Sequence, residues 1–233
     1  DSPWYQYRYE IKEIVIEEGV TLIGRNAFLD CDNLKTVSIP NTVTKINESA
    51  FRGCSSLNSV TLPESINTLE VSVFEGCSSL TSINLPSNIN EVAGGLFYGC
   101  SSLTSIEIPS GVTRIGASAF QNCSSLNSVL IPNTVEEISF SCFRGCVSLT
   151  AIEIPSSVKV LNNYAFAKTG LTTLTLNEGL LQIGAYCFDS SKSLETIYIP
   201  SSVTAIYTAA FDCCKALKDV YYAGSQADFE NFN

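Results

Sequence analysis

Phenylalanine recurs along this chain at positions 28, 51, 74, 97, 120, 143, 166, 188 and 211, a step of 23 residues that shortens to 22 once, between Phe166 and Phe188. A leucine follows each at a fixed distance, from Leu34, Leu57, Leu80 and Leu103 on to Leu194 and Leu217, with Leu171 one place early. The missing residue therefore lies in Ala167-Lys168-Thr169-Gly170. A unit of 23 residues cannot enclose a core alone, so neighbouring units must share one continuous interior. The period thus predicts an α/β repeat solenoid of about nine coils.

Within a unit the leucine opens the pattern L-x-x-[VIL]-x-[IL]-P, as in Leu103-Thr104-Ser105-Ile106-Glu107-Ile108-Pro109. Alternating apolar and polar residues mark a short strand with one buried face, and proline ends it because it cannot donate the next ladder bond. A second apolar edge follows, Val112/Ile115 in one coil and Val135/Ile138 in the next. Then Ala-Phe, or a near equivalent, runs into x-Gly-Cys, where a helical turn or tight bend is expected. The fold expected is a parallel β-sheet on one face of the stack with short turns or helical segments on the other.

These units resemble the 23-residue leucine-rich repeat of BspA-like proteins, close to L-x-x-I-x-I-P-x-x-V-x-x-I-x-x-x-A-F-x-x-C, from about Ile11 to Tyr222. "SPWYQYRYEIKEIVIEEGVTLIGRNAF" resembles the segment that leads into the first coil of such proteins, and "DVYYAGSQADFENF" the one that follows the last. On this reading residues 1–16 form an N-terminal cap, 17–222 the leucine-rich-repeat solenoid, and 223–233 a C-terminal cap or the start of a further segment. Trp4, Tyr5, Tyr7 and Tyr9 are expected to cover the first coil, and Phe229 and Phe232 the last. The resemblance implies a secreted or cell-surface protein of host-associated bacteria or protists, with adhesion to host proteins or glycans as its role.

Composition narrows the chemistry. The net charge of −10, with only 13 Lys and Arg, repels a phosphate backbone, so nucleic acid is not an expected partner. The chain has no run of eighteen or more apolar residues, the length a membrane-crossing helix needs. No methionine is present, so the chain reads as a mature or excised piece, and it is expected to be a monomer. Histidine is also absent, which removes Ser-His-Asp and Cys-His nucleophiles. Glu107 and Glu153 share one strand position, but they stand two coils and roughly 10 Å apart on an open face, poor geometry for a hydrolytic carboxylate pair. Neither an enzyme nor a cofactor is expected.

Ten cysteines suggest a disulfide framework at first sight. Yet Cys31, Cys54, Cys77, Cys100, Cys123 and Cys146 hold one repeat position. Stacked one coil apart at roughly 4.8 Å, with parallel side chains, they are badly placed for disulfides. They read as a ladder of buried thiols rather than a metal site, because a column offers no tetrahedral convergence. Cys142 and Cys187, just before phenylalanines, read as small buried residues, and the vicinal Cys213-Cys214 as the place for an exception.

The outward strand positions of the early coils are mostly small hydroxyl residues, which suit a solvated sheet face without any ligand. Toward the C-terminal half the face gains Glu107, Leu130, Glu153, Thr175, Tyr198 and Tyr221, the candidate ligand-binding residues. Tyr198 and Tyr221 read either as a contact surface for protein or sugar or as a cross-strand pair shielding the sheet end. The function expected is a non-enzymatic binding module, with a structural spacer that presents another domain as the alternative.

Overall fold

The computed structural model describes residues 2–230. Each coil has three hydrogen-bonded sides. The L-x-x-V-x-I segment supplies the first, a front sheet of parallel strands that includes Glu13–Val15, Thr36–Ser38, Ser105–Glu107, Ser128–Leu130 and Thr196–Ile199. The second apolar edge supplies another parallel sheet, the side sheet, in which Glu91–Val92, Arg114–Ile115, Glu137–Ile138, Val160–Leu161, Gln182–Ile183 and Ala205–Ile206 bond in one run. Register follows the sequence period: Arg114 faces Glu137 one full coil on, and Val160 faces Gln182 across the short coil. The first front strand starts as early as Glu13, paired with Thr36.

The third side is the phenylalanine turn, and it is not helical. Among the described residues helix is confined to a 3-10 turn at Tyr5–Tyr7 and an α-helix at Gln226–Glu230, both outside the coil turns. The α/β description and the helical segments expected opposite the sheet are therefore corrected to an all-turn third side. The cause is backbone handedness: the residues two before and two after each phenylalanine have positive φ, as at Ser49 (56°) and Gly53 (75°) around Phe51. A right-handed helix needs negative φ at every residue. The turn instead alternates its amides, so Ala50 N–H bonds back to Asn47 of its own coil while Phe51 and Gly53 donate to Val73 and Glu75 of the next. Every coil is thereby stitched to its neighbour on this side too.

The core is a set of columns. Trp4 and the nine phenylalanines stack consecutively; Phe74 and Phe97, for example, lie 5.9 Å apart and 5° from parallel. Phe51 to Phe188 are fully buried, as are Leu57, Leu80, Leu103 and Leu126. Each aromatic pair adds about 0.5–1.5 kcal/mol beyond the burial of its area. At the N-terminal end Trp4 donates from its indole Nε1 to the Ala27 carbonyl (2.5 Å) and covers Phe28. Tyr7 and Tyr9 remain about half exposed. Tyr9 and Tyr5 instead sandwich the Arg8 guanidinium, 4.2 Å from each ring. Phe232 lies outside the described residues and the Phe229 side chain outside the described side chains.

The front sheet is less continuous than the single sheet expected. Its strands bond in groups, with 59–60 pairing 82–83, 105–107 pairing 128–130, and a three-stranded group of 173–175, 196–199 and 219–222. Residues 151–155 form no strand. Side-chain amides take over ladder bonds at these breaks: Asn84 both donates to the Leu62 carbonyl and accepts from the Leu62 amide, and Asn177 donates to the Ile154 carbonyl.

Candidate binding face

The front-sheet residues expected to bind fall into two groups. Thr175, Tyr198 and Tyr221 sit side by side on the C-terminal three strands, in register. Tyr198 and Tyr221 stack with ring centroids 4.8 Å apart and are 42% and 52% exposed, so the pair covers the sheet and still presents its outer edges to solvent. Glu107 and Leu130 pair across an earlier two-stranded group, with Leu130 59% exposed. Glu153 is exposed in the strandless stretch between the groups and joins neither. The carboxylates of Glu107 and Glu153 remain separated by the coil that carries Leu130.

A shallow hollow of about 620 Å³ lies on the same side in the early coils, floored by Ser82, Asn84, Ser105 and Glu107. Its rim is built by Glu64, whose carboxylate accepts from both the amide and the hydroxyl of Ser87. These bonds hold the Glu64 carboxyl below its ordinary pKa. Hydroxyl-rich sequence in this half gave no sign of a concavity; the hollow lies where strands 82–83 and 105–107 fall in separate hydrogen-bonded groups.

The cysteine column forms a hydrogen-bonded chain. Cys54 Sγ donates to the Phe28 carbonyl at 3.2 Å, Cys77 to Phe51, Cys100 to Phe74, Cys123 to Phe97 and Cys146 to Phe120. Thr169 and Ser191 hold the same place in coils seven and eight, and Ser191 makes the equivalent bond to Phe166 at 2.9 Å. Cys214 continues the column by donating to Phe188, whereas Cys213 is exposed. All ten thiols are free. Burial drives the pKa values of the column thiols up, to about 11 at Cys31 and Cys214 near the ends and well above the ordinary range at Cys77 and Cys100 in the middle. A neutral, hydrogen-bonded thiol is a poor nucleophile and a poor metal ligand. The ligand atoms of Asp189, Asp212 and Cys213 lie within 4.8 Å of one another, and both carboxylates already accept hydrogen bonds, Asp189 from the Ser190 hydroxyl and Asp212 from the Cys213 amide.

One aromatic cluster escaped sequence reading. Tyr164 and Tyr186 stack at 5.0 Å, Phe140 meets Tyr164 edge-on, and the Arg144 guanidinium lies 5.4 Å over the Tyr164 ring. Phe140 occupies a different repeat position from the two tyrosines, so no column of identical letters announced it. No helix among the described residues is long and apolar enough to cross a membrane.

With coils, columns and face in place, the family can be stated. The chain belongs to the BspA-type leucine-rich repeat family, whose model matches residues 2–127 and 113–231. Its fold is similar to a leucine-rich repeat protein of Bacteroides ovatus, at 29% identity and a TM-score of 0.72, over 91% of this chain and 64% of that one. A leucine-rich repeat protein of T. pallidum is 31% identical, with a TM-score of 0.58, over 60% of this chain and 68% of that one. The pneumococcal vaccine antigen PcpA shares the fold at 21% identity and a TM-score of 0.69, over 94% of this chain and 58% of that one. The chain thus spans 64% of the length of the Bacteroides protein and 58% of PcpA. No curated protein matches it.

Proposed function

We propose that the chain is a non-enzymatic binding module of a secreted or cell-surface bacterial protein, using its front sheet to hold a host protein or glycan. The observation that carries this reading is the Tyr198–Tyr221 pair, two exposed rings fixed against each other on a face whose early coils carry mostly small polar side chains. A tyrosine already immobilised by stacking offers apolar area and a hydroxyl at little further entropic cost to binding. Thr175, in register beside Tyr198, extends the same patch. Leu130 and Glu107, paired across an earlier group of strands, form a second patch up the stack, with Glu153 apart from it.

The test is an array of host matrix proteins and glycans probed with this protein and with its Tyr198→Ser/Tyr221→Ser variant. Loss of a signal in the variant supports the reading; an equal signal from both removes the tyrosines from it. A spacer role is favoured by a different observation, the unbroken aromatic column from Trp4 to Phe211, which stiffens the whole stack. An array on which the protein binds nothing leaves that role.

A further inference from the structure

We infer that the short seventh coil is a binding site for a tetrahedral oxyanion, a sulfate or phosphate group, separate from the front sheet. In the coils of Phe51 to Phe143 the amides four and five places after each phenylalanine are both used. Ser124 N–H, for instance, bonds to the Asn122 carbonyl, and Ser125 N–H to the Ser101 carbonyl of the coil before. The missing residue after Thr169 breaks this ladder. The amides of Gly170, Leu171, Lys192 and Ser193 then have no acceptor among the described residues. An open notch of about 490 Å³ results, lined by Lys168, Gly170, Lys192 and Ser193 among others.

Three of the residues with unpaired amides, Gly170, Lys192 and Ser193, line this one hollow together with Lys168, while the fourth, Leu171, is buried behind it. Neither lysine joins any of the ion pairs, which are Arg25–Glu48, Lys45–Glu70, Arg52–Glu75 and Lys218–Glu195. Two lysines outside any ion pair at one notch run against a chain with 23 acidic residues and only 13 basic ones. Asp189 and Glu195 are the acids nearest Lys192 in sequence; the Asp189 carboxylate accepts from the Ser190 hydroxyl at 3.0 Å and its carbonyl from the Lys168 amide, while Glu195 pairs with Lys218. Successive unpaired amides make an anion-binding concavity, and charged donors strengthen each hydrogen bond to an oxyanion. Gly170 is required for the notch, since a Cβ there would run into the Val147 carbonyl oxygen.

Calorimetric titration with sodium sulfate and sodium phosphate, at ionic strength fixed by chloride, tests the site. One saturable site is expected. Lys168→Gln/Lys192→Gln, at two exposed positions, should weaken it by about tenfold or more, while Lys12→Gln/Lys35→Gln on the front side should not. Inserting a serine between Thr169 and Gly170 restores the 23-residue step, closes the ladder and should abolish binding with no loss of thermal stability. Glucose 6-sulfate and glucose 6-phosphate then show which ester the notch prefers. No saturable heat with either inorganic ion, affinity within about twofold in the lysine variant, or equal binding of unsubstituted glucose would overturn the proposal. The Tyr198→Ser/Tyr221→Ser variant should bind the anion unchanged, so the two sites stand or fall separately.

Discussion

Tyr198 lies flat against Tyr221, planes 9° from parallel, directly across the pairing of their strands. Removing both rings gives up one surface stack, worth about 0.5–1.5 kcal/mol. Tyr198→Ser/Tyr221→Ser is therefore expected to unfold within a few degrees of the parent by calorimetry. A drop of more than about ten degrees would mean that the pair holds the last strands in place and is no free surface.

Phe97 stands in the middle of the aromatic column with no exposure, while Phe28 at its end is half-buried. Phe97→Ala leaves a cavity between two rings and is expected to cost about 3–5 kcal/mol in urea unfolding. Phe28→Ala should cost clearly less. Equal losses would show that the column does not share its burial between coils.

The thiol column gives the protein an alkaline limit. Cys77, Cys100 and Cys146 titrate far above the ordinary 9.0 because burial disfavours the thiolate. The unfolded chain loses these protons first, so their contribution is complete below the ordinary thiol pKa and drains away as pH rises through it. Each deeply buried thiol adds a slope of about 1.4 kcal/mol per pH unit. Melting temperature should fall steeply between about pH 8.5 and about pH 10.5, and less steeply in Cys77→Ala/Cys100→Ala. Identical slopes in the two proteins would place the loss elsewhere.

Native thiol labelling should give one fast equivalent, Cys213, followed slowly by half-buried Cys214, and all ten only in denaturant. Mass mapping of the labelled peptides reads this directly. Fast modification of Cys77 or Cys100 would contradict the buried column.

At Gly170 an alanine Cβ would meet backbone, whereas at Gly24 it meets nothing within 4 Å. Gly170→Ala is expected to destabilise by about 1–3 kcal/mol and Gly24→Ala to be nearly neutral. Similar melting curves for the two would argue that coil seven is loose enough to yield.

The columns were legible because identical letters at one period become identical places in space: phenylalanine, leucine and cysteine each report themselves. The third side was not. Its handedness is set by residues as different as Ser49, Gly53, Tyr164 and Cys213, all at positive φ, so the letters vary where the backbone does not. The side sheet showed in sequence only as a second apolar edge, since two residues per strand leave no alternation to count. Cys214 looked like an exception because Thr169 and Ser191 interrupt the cysteines; the Ser191 hydroxyl makes the same bond as the thiols, to the phenylalanine carbonyl of the preceding coil, whereas the Thr169 hydroxyl bonds to Phe166 of its own coil. The notch was visible as a missing residue, but its chemistry depends on which amides lose acceptors, and that follows from the neighbouring coil.

Among the described residues, front strands, side strands and phenylalanine turns bond within their own coil or to the coil directly above or below, so no tie between distant coils fixes the length of the stack. Duplicating a whole unit adds a storey without disturbing the others, and excising one removes a storey as cleanly. A descendant gene can thus grow or shrink in whole steps, whereas a single lost codon, as in coil seven, leaves a permanent local scar.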